Sequence, residues 1–351
     1  MELHVLFGAA TYGRRQFHLN MDVCEFSYSF LKSSKFHLGD NEKTFFTYGG
    51  VGSAIRKIKP DLVVCSGFSM ATFAVWLSSV FGKTNYMIWS GSVQQKGRND
   101  SLLRTWFRKI MLGKAKGFIS YGTKAEEYLE MLGADPEKIK ISLNTVDTAF
   151  FAEQTAALRS VLPRTNPQKH LTFVGYLSPR KNVGLLLESI RILAQKRNDF
   201  VLDLVGDGKE KPNLEKYVQS SGLSSVVKFH GFKQKEELPA ILAVSTCFLF
   251  QTEFDIWGLV LNEAMAAGIP CISSVNAGAT KDLIKDGETG FVMDFNDKAN
   301  VVSKIEWILD HEMEARQIGM NARKFIEENA SVKQSALDFV LAITSQNSKF
   351  V

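Results

Sequence analysis

Two carboxylates, Asp255 and Glu263, flank a candidate phosphate site within residues 253–291, EFDIWGLVLNEAMAAGIPCISSVNAGATKDLIKDGETGF. A polar loop carrying Asp255 leads to Trp257-Gly258, and a helical pattern begins near Leu259. The start of a helix exposes unpaired N–H groups and a partial positive charge, so it can receive a phosphate. Gly258, without a Cβ, lets a ligand come close to the backbone there. Glu263 falls about one turn into the helix, within reach of a polyhydroxylated ligand at its mouth. Two carboxylates would repel a phosphate directly, so they suit acceptance of hydrogen bonds from sugar and ribose hydroxyls.

The same residues carry a family resemblance. Asp255, Glu263 followed by Ala-Met-Ala-Ala-Gly268-Ile-Pro270, the turn at Gly278 and Asp286-Gly287-Glu-Thr-Gly290 resemble the nucleotide-sugar signature of retaining GT-B glycosyltransferases. These form the large bacterial polysaccharide and lipopolysaccharide group, glycosyltransferase family 4-like or "group 1". A match of this length is far more specific than a lone glycine motif. The chain has Asp255 where the family usually has Glu. A second match is FVGYLSPRKNVGLLLESI, residues 173–190. The resemblance implies that a strand ends at Gly175 and that Arg180 and Lys181 hold the diphosphate. Tyr176 stands where the family usually places a further Arg. Residues 202–208 and 227–232 resemble later strand ends, bringing Gly206 and the His230-Gly231-Phe232 turn toward the base.

The resemblance thus implies Arg180, Lys181 and Asp255 as catalytic residues. Its donor-binding set is Gly175, Gly206, His230, Gly231, Phe232, Trp257, Gly258, Leu259, Val260 and Glu263. It further implies transfer of a hexose from a nucleoside-diphosphate sugar, with UDP the commoner nucleotide, to a glycan or lipid-linked glycan hydroxyl. No cofactor or metal is expected. The resemblance covers residues 117–330 well and is weak over the first sixty, where Gly8 to Arg14 makes a poor glycine-rich loop. No His occurs near Trp89-Ser90-Gly91-Ser92, where many members place one against the sugar.

Several elements must position these residues. Short β-branched runs alternate with helical patterns, which argues for parallel sheets wrapped by helices. Strands are expected at 4–7, 61–65, 85–89, 117–121 and 139–143. Helices are expected at 52–59, 70–81, 102–114 and 125–132. Residues 22–48, rich in aromatics and polar turns, suggest a hairpin. A linker with Pro163 and Pro167 is expected over 155–169, after which the alternation restarts. Its strands are 171–174, 200–205, 226–229, 247–250 and 269–273, and its helices 183–196, 212–220, 235–244 and 259–267. Helical patterns at 301–310, 313–328 and 333–344 close the chain. The expected class is α/β of GT-B architecture, two doubly wound Rossmann-like domains facing across a cleft. Residues 1–160 would bind acceptor and 161–332 the nucleotide-sugar, with a C-terminal helix at about 333–351 packing back on the first.

Composition bounds the alternatives. The 351 residues, 45% apolar and 23% charged, suit about two globular domains. A net charge of +5 is too small to argue for nucleic acid. Cys24, Cys65, Cys247 and Cys271 form no metal-type spacing, and three lie in apolar strand-like runs, as suits a reduced interior. At the start, the apolar run precedes the positive charges, the wrong order for a secretory signal. Residues 62–82 carry no formal charge, yet their serines and glycine read as strand, turn and helix rather than a span.

Charge is uneven: residues 1–160 hold 20 Lys and Arg against 14 Asp and Glu. The excess gathers at Lys96, Arg98, Arg104, Arg108, Lys109, Lys114 and Lys116, opposed by Asp100, with Leu102, Leu103, Trp106, Phe107, Ile110 and Met111 interleaved. Arg104, Trp106, Arg108 and Lys109 would form a face for an anionic membrane surface, and the same pattern also fits a helix burying its apolar side. The expected location is cytoplasmic, with peripheral attachment to the inner face of the membrane. Two rival functions share the architecture: a catalytically silent nucleotide-sugar-binding partner subunit and a non-hydrolysing nucleotide-sugar epimerase. A nicotinamide-dependent dehydrogenase is disfavoured, because no GxGxxG opens a helix after the first strand.

Overall fold

The structure, a computed structural model, describes residues 2–8, 21, 24–37, 44–82, 84–94, 101–162 and 168–345, with backbone only for 33–37 and 44–47. The glycine-rich loop expected after Gly8 falls outside the described residues, as do Lys96, Arg98, Asp100, Pro163 and Pro167.

The first unit holds β1 (His4–Phe7), β2 (Ser27–Phe30), β3 (Lys32–His37), β4 (Thr44–Gly49), α1 (Val51–Ile58), β5 (Val63–Ser66), α2 (Met70–Phe81), β6 (Tyr86–Ser90), α3 (Leu102–Leu112), β7 (Phe118–Ser120), α4 (Thr123–Met131) and β8 (Ile139–Ile141). β5 to β8 form a four-stranded parallel sheet in sequence order. The hairpin expected within 22–48 is β3 and β4, antiparallel from Lys32 opposite Gly49, while β2 instead joins β1 in parallel. The uncharged stretch at 62–82 folds as β5, a turn and α2, whose Ser69 side chain accepts from the Thr72 N–H in a capping box. Among the described residues no helix is long and apolar enough to cross a membrane.

The link between the units differs from the expected linker. Residues 148–161 form α5 (Thr148–Val161), so the first seven residues of the expected linker are helical. Its Arg159, half-buried, donates to the carbonyls of Leu242, Ala243 and Ala267 at 3.2, 3.1 and 2.6 Å. Those carbonyls lie at the ends of two helices of the second unit, where a cation complements the partial negative charge. The proline pair suggested a linker; the buried positions Phe151, Ala152 and Thr155 make a helix instead.

The second unit holds β9 (Lys169–Val174), α6 (Val183–Ala194), β10 (Phe200–Val205), α7 (Lys211–Ser220), β11 (Val227–Gly231), α8 (Leu238–Val244), β12 (Ser245–Phe250), α9 (Leu259–Ala266), β13 (Cys271–Ser274), α10 (Thr280–Leu283), β14 (Phe291–Met293), α11 (Lys298–Asp310) and α12 (Glu312–Asn329). Its six parallel strands run β11-β10-β9-β12-β13-β14. The order reverses between β9 and β12, and in such sheets ligands bind in the crevice at the strand ends where this happens. One core packs α6 and α11 on one face, and a second packs α5, α8, α9 and α12 on the other. β14, too short for a periodic signal, was not legible in the sequence. The chain then returns: α13 (Val332–Ser345) sets Phe339, Ala342 and Ile343 against Met87, Trp89 and Ile119 of the first unit.

Candidate active site

The loops that follow β9 and β12 meet at the reversal. β9 runs buried to Val174, and after Gly175 the chain makes one tight turn over Pro179–Lys181. Lys181, 4% exposed, donates from Nζ to Asp255 Oδ2 at 2.6 Å and sits 4.6 Å from the centre of the Phe250 ring. Arg180 donates to the Phe254 carbonyl at 2.8 Å and approaches Asp255 Oδ2 at 3.4 Å. Backbone and amide bonds join the loops further: Glu253 N–H donates to the Arg180 carbonyl at 3.0 Å, and Asn182 Nδ2 to Glu253 Oε1 at 2.8 Å. Burial raises the Asp255 carboxyl, but the charges of Lys181 and Arg180 outweigh it and hold it below the ordinary carboxylate range. Burial lowers Lys181, and Asp255 restores part of that.

Beside this ion cluster opens α9. Gly258 takes φ +104°, and a Cβ there would fall 2.2 Å from the Phe250 ring, so glycine alone fits. Among the described residues no side chain caps the helix. Leu259 is exposed at its mouth and Val260 is half-buried beneath. Trp257 is buried, its indole N–H donating to Asn262 Oδ1 at 3.0 Å, and Asn262 donates in turn to the Asn144 carbonyl. Glu263, one turn in, has no side-chain partner among the described residues. Burial pushes its carboxyl up to about 8, opposed by the charge of Lys235 in the loop after β11.

Thus Arg180, Lys181, Asp255 and Gly258 stand together, with Gly175 against the Lys181 chain. A Cβ on Gly206, φ +140°, would lie 1.9 Å from the Gly175 carbonyl oxygen, so the two strand ends pack backbone to backbone. His230 lies at the end of β11. Its Nε2 is 2.6 Å from Asp203 Oδ1, while His170 Nδ1 is 2.6 Å from Oδ2 of the same buried carboxylate. Burial raises the Asp203 carboxyl, and the bonds from the two histidines outweigh it, so it lies below the ordinary range. Gly231, φ +68°, turns the chain and leaves Phe232 exposed. Sequence reasoning passed over Asp203 and His170. The one acid in the otherwise apolar run FVLDLV was the available signal. It also passed over Phe250 and Asn182, whose roles depend on loops meeting across the sheet.

On α3, Leu102, Leu103 and Trp106 are 90%, 72% and 60% exposed. Arg104 and Lys109 lie on the same helix, and Arg108 stacks its guanidinium over Phe68 and Tyr128.

The arrangement is the GT-B fold. HepE of Anabaena, solved in complex with UDP, superposes with a TM-score of 0.74 at 19% identity, covering 84% of this chain and 82% of that one. The lipopolysaccharide outer core galactosyltransferase WaaB, solved in its apo form, gives 0.70 at 17% identity, over 95% and 88%. Residues 154–325 match the family of glycosyl transferases group 1, and this half of the chain belongs to that family. A GDP-mannose-dependent alpha-mannosyltransferase of Corynebacterium glutamicum is 33% identical over 168 residues, 47% of this chain and 38% of that protein. The chain spans about half the length of other curated relatives it matches.

The lone carboxylate of Glu263 yields a signed prediction. Its folded-state value is raised from the ordinary 4.5 to about 8, so the folded chain binds more protons than the unfolded one across that window. Stability of the ligand-free protein should therefore fall as pH rises from 5 to 8, by roughly 3 kcal/mol, and flatten above. Urea unfolding of wild type and Glu263→Gln at each pH measures it. The variant should lose that part of the slope; equal slopes in both proteins would contradict the assignment.

Proposed function

We propose that the chain is a retaining glycosyltransferase, moving a hexose from a nucleoside-diphosphate sugar to a hydroxyl of a glycan or lipid-linked glycan in surface polysaccharide synthesis. The observation that carries this reading is the meeting of Arg180 and Lys181 with the start of α9 at the sheet reversal, where among the described residues no side chain caps the helix and Glu263, one turn further in, has no side-chain partner. A diphosphate would lie against the two cations and the free N–H groups, and Glu263 would accept from the ribose hydroxyls. UDP is the expected nucleotide, supported by its presence in the HepE structure. The mannosyltransferase relative is named for GDP-mannose, so both bases belong in the test.

In the reaction the bond between the sugar C1 and the phosphate oxygen breaks, and the acceptor oxygen bonds to C1 on the same face. The acceptor proton passes to the leaving phosphate oxygen, so no separate protein base is needed. Negative charge grows on the diphosphate as the bond breaks. Fixed donors at that point therefore stabilise the transition state more than the ground state. Asp255 keeps Lys181 in one geometry, and its second oxygen, 3.4 Å from the Trp257 N–H, retains capacity for a sugar hydroxyl. Thermal unfolding with a panel of UDP, GDP and their sugars tests the reading. One ligand at 100 times its Kd should stabilise by about 2.7 kcal/mol, and Lys181→Ala and Glu263→Ala should each abolish the shift while remaining folded. A full shift in both variants would overturn the site.

The acceptor reading draws on the α2–α3 surface. Phe81 is 84% exposed at the end of α2, and on α3 Leu102, Leu103 and Trp106 are exposed, with Arg104 and Lys109 on the same helix. Such a face suits the cytoplasmic leaflet, each basic residue adding about 1 kcal/mol. Sedimentation with vesicles containing anionic lipid at low salt should pellet wild type and leave Arg104→Glu/Lys109→Glu in the supernatant. Equal partition of both would exclude the face.

A further inference from the structure

Helix α4 of the first unit begins against the loops of the candidate active site in the second. Its N-cap position is Gly122, which offers no side chain. The cap comes instead from Asp282, more than 150 residues away in sequence. The Thr123 N–H donates to Asp282 Oδ1 and Oδ2, both at 3.1 Å, and the Thr123 hydroxyl donates to Oδ1 at 2.5 Å. A carboxylate at a helix start meets both the unpaired donors and the partial positive charge there. Next along, Lys124 Nζ donates to the carbonyls of Val275 at 2.9 Å and Ala277 at 3.0 Å. Gly122 makes the approach sterically feasible. A Cβ there would lie 2.4 Å from the Trp257 ring and 2.5 Å from Asp282 Oδ2.

The turn gripped in this way rests directly on the loop that bears Asp255. The Gly278 N–H donates to the Asp255 carbonyl at 2.9 Å, and the Ala279 N–H to the Trp257 carbonyl at 3.0 Å. Ala277 also bridges to Asp255 in parallel. A Cβ on Gly278 would lie 1.8 Å from the Ile256 carbonyl oxygen, so turn and loop are in backbone contact. The chain of contacts runs from Lys124 and Thr123, through residues 275–282, to Asp255 and on to Lys181. The exposed pair Lys281–Glu127 at 2.5 Å adds little, because solvent screens it.

We propose that Gly122, Thr123 and Lys124 are positioning residues for the donor. Through Asp282 and the 275–279 turn they hold the Asp255–Gly258 loop in its binding geometry, so that donor affinity depends on the seating of the first unit. The inference rests on the reading of the Lys181 site as the donor site. It predicts coupling between two units whose ligands differ, since a first-unit substitution that never touches the nucleotide weakens nucleotide binding.

The test is calorimetric titration of the full chain with UDP and, separately, GDP, alongside thermal unfolding of each ligand-free protein. The proteins are wild type, Lys181→Ala, Gly122→Ala, Lys124→Met, Asp282→Ala and Asp282→Glu. Gly122→Ala and Lys124→Met should each raise the Kd about tenfold, within the ordinary range for coupled sites; Lys124→Met should leave the ligand-free unfolding midpoint little changed, while Gly122→Ala should lower it, because its Cβ must displace Trp257 and Asp282. Asp282→Ala should weaken binding as much and lower the midpoint, because α4 loses its cap, and Asp282→Glu should keep most of the affinity. The proposal is overturned if Lys181→Ala loses binding while Gly122→Ala, Lys124→Met and Asp282→Ala all bind as wild type, an outcome that leaves the donor site standing. It is overturned together with that site if wild type binds neither nucleotide or Lys181→Ala binds as tightly as wild type. Should Asp282→Ala fail to fold, Gly122→Ala and Lys124→Met, made entirely within the first unit, decide the matter.

Discussion

A buried ammonium held by one carboxylate is the constraint around which the site is arranged. Lys181 is nearly sealed from solvent, and a lone charge there would be costly. Asp255 at 2.6 Å, Arg180 beyond it and the face of Phe250 beneath make the charge tolerable. Two cations against one acid leave a local surplus of positive charge. Beside them the α9 mouth adds N–H groups that no side chain among the described residues caps. The pair also fixes where the ammonium points, so little reorganisation is needed when an anion arrives.

Sheet order puts that pair where it is. β9 and β12 are neighbours in the sheet, yet their following helices leave on opposite faces, and the loops between part to form a crevice. Close approaches of the backbone then set the fine geometry. Gly206 against Gly175, Gly258 against Phe250 and Gly278 against Ile256 are approaches that any Cβ would prevent. Arg159 anchors α5 on the ends of α8 and α9, so the helix that leaves the first unit is fastened to the donor helix of the second.

Much of this was legible in the chain because it is local. The alternation of strand and helix patterns located most strands and helices of both sheets, and the 253–291 segment announced an acid, a glycine and a helix start at fixed spacing. Where the reading departed, longer-range contacts decided. Pro163 and Pro167 suggested a linker from residue 155, while the tertiary surface that Phe151 and Arg159 find keeps the chain helical to Val161. His230 was singled out by its turn, yet its partner Asp203 lies on the neighbouring strand and shares its carboxylate with His170. Sequence reasoning passed over Asp282. Its function as the cap of α4 depends on two units meeting, which no spacing within one of them encodes.

The most direct measurement of the central claim is a crystal structure of the chain soaked with the nucleoside-diphosphate sugar that gives the largest stabilisation. The account predicts the diphosphate oxygens within hydrogen-bond distance of Arg180, Lys181 and the first N–H groups of α9, with the ribose hydroxyls on Glu263. A diphosphate bound anywhere else, with Lys181 still paired to Asp255 and untouched by ligand, would contradict it.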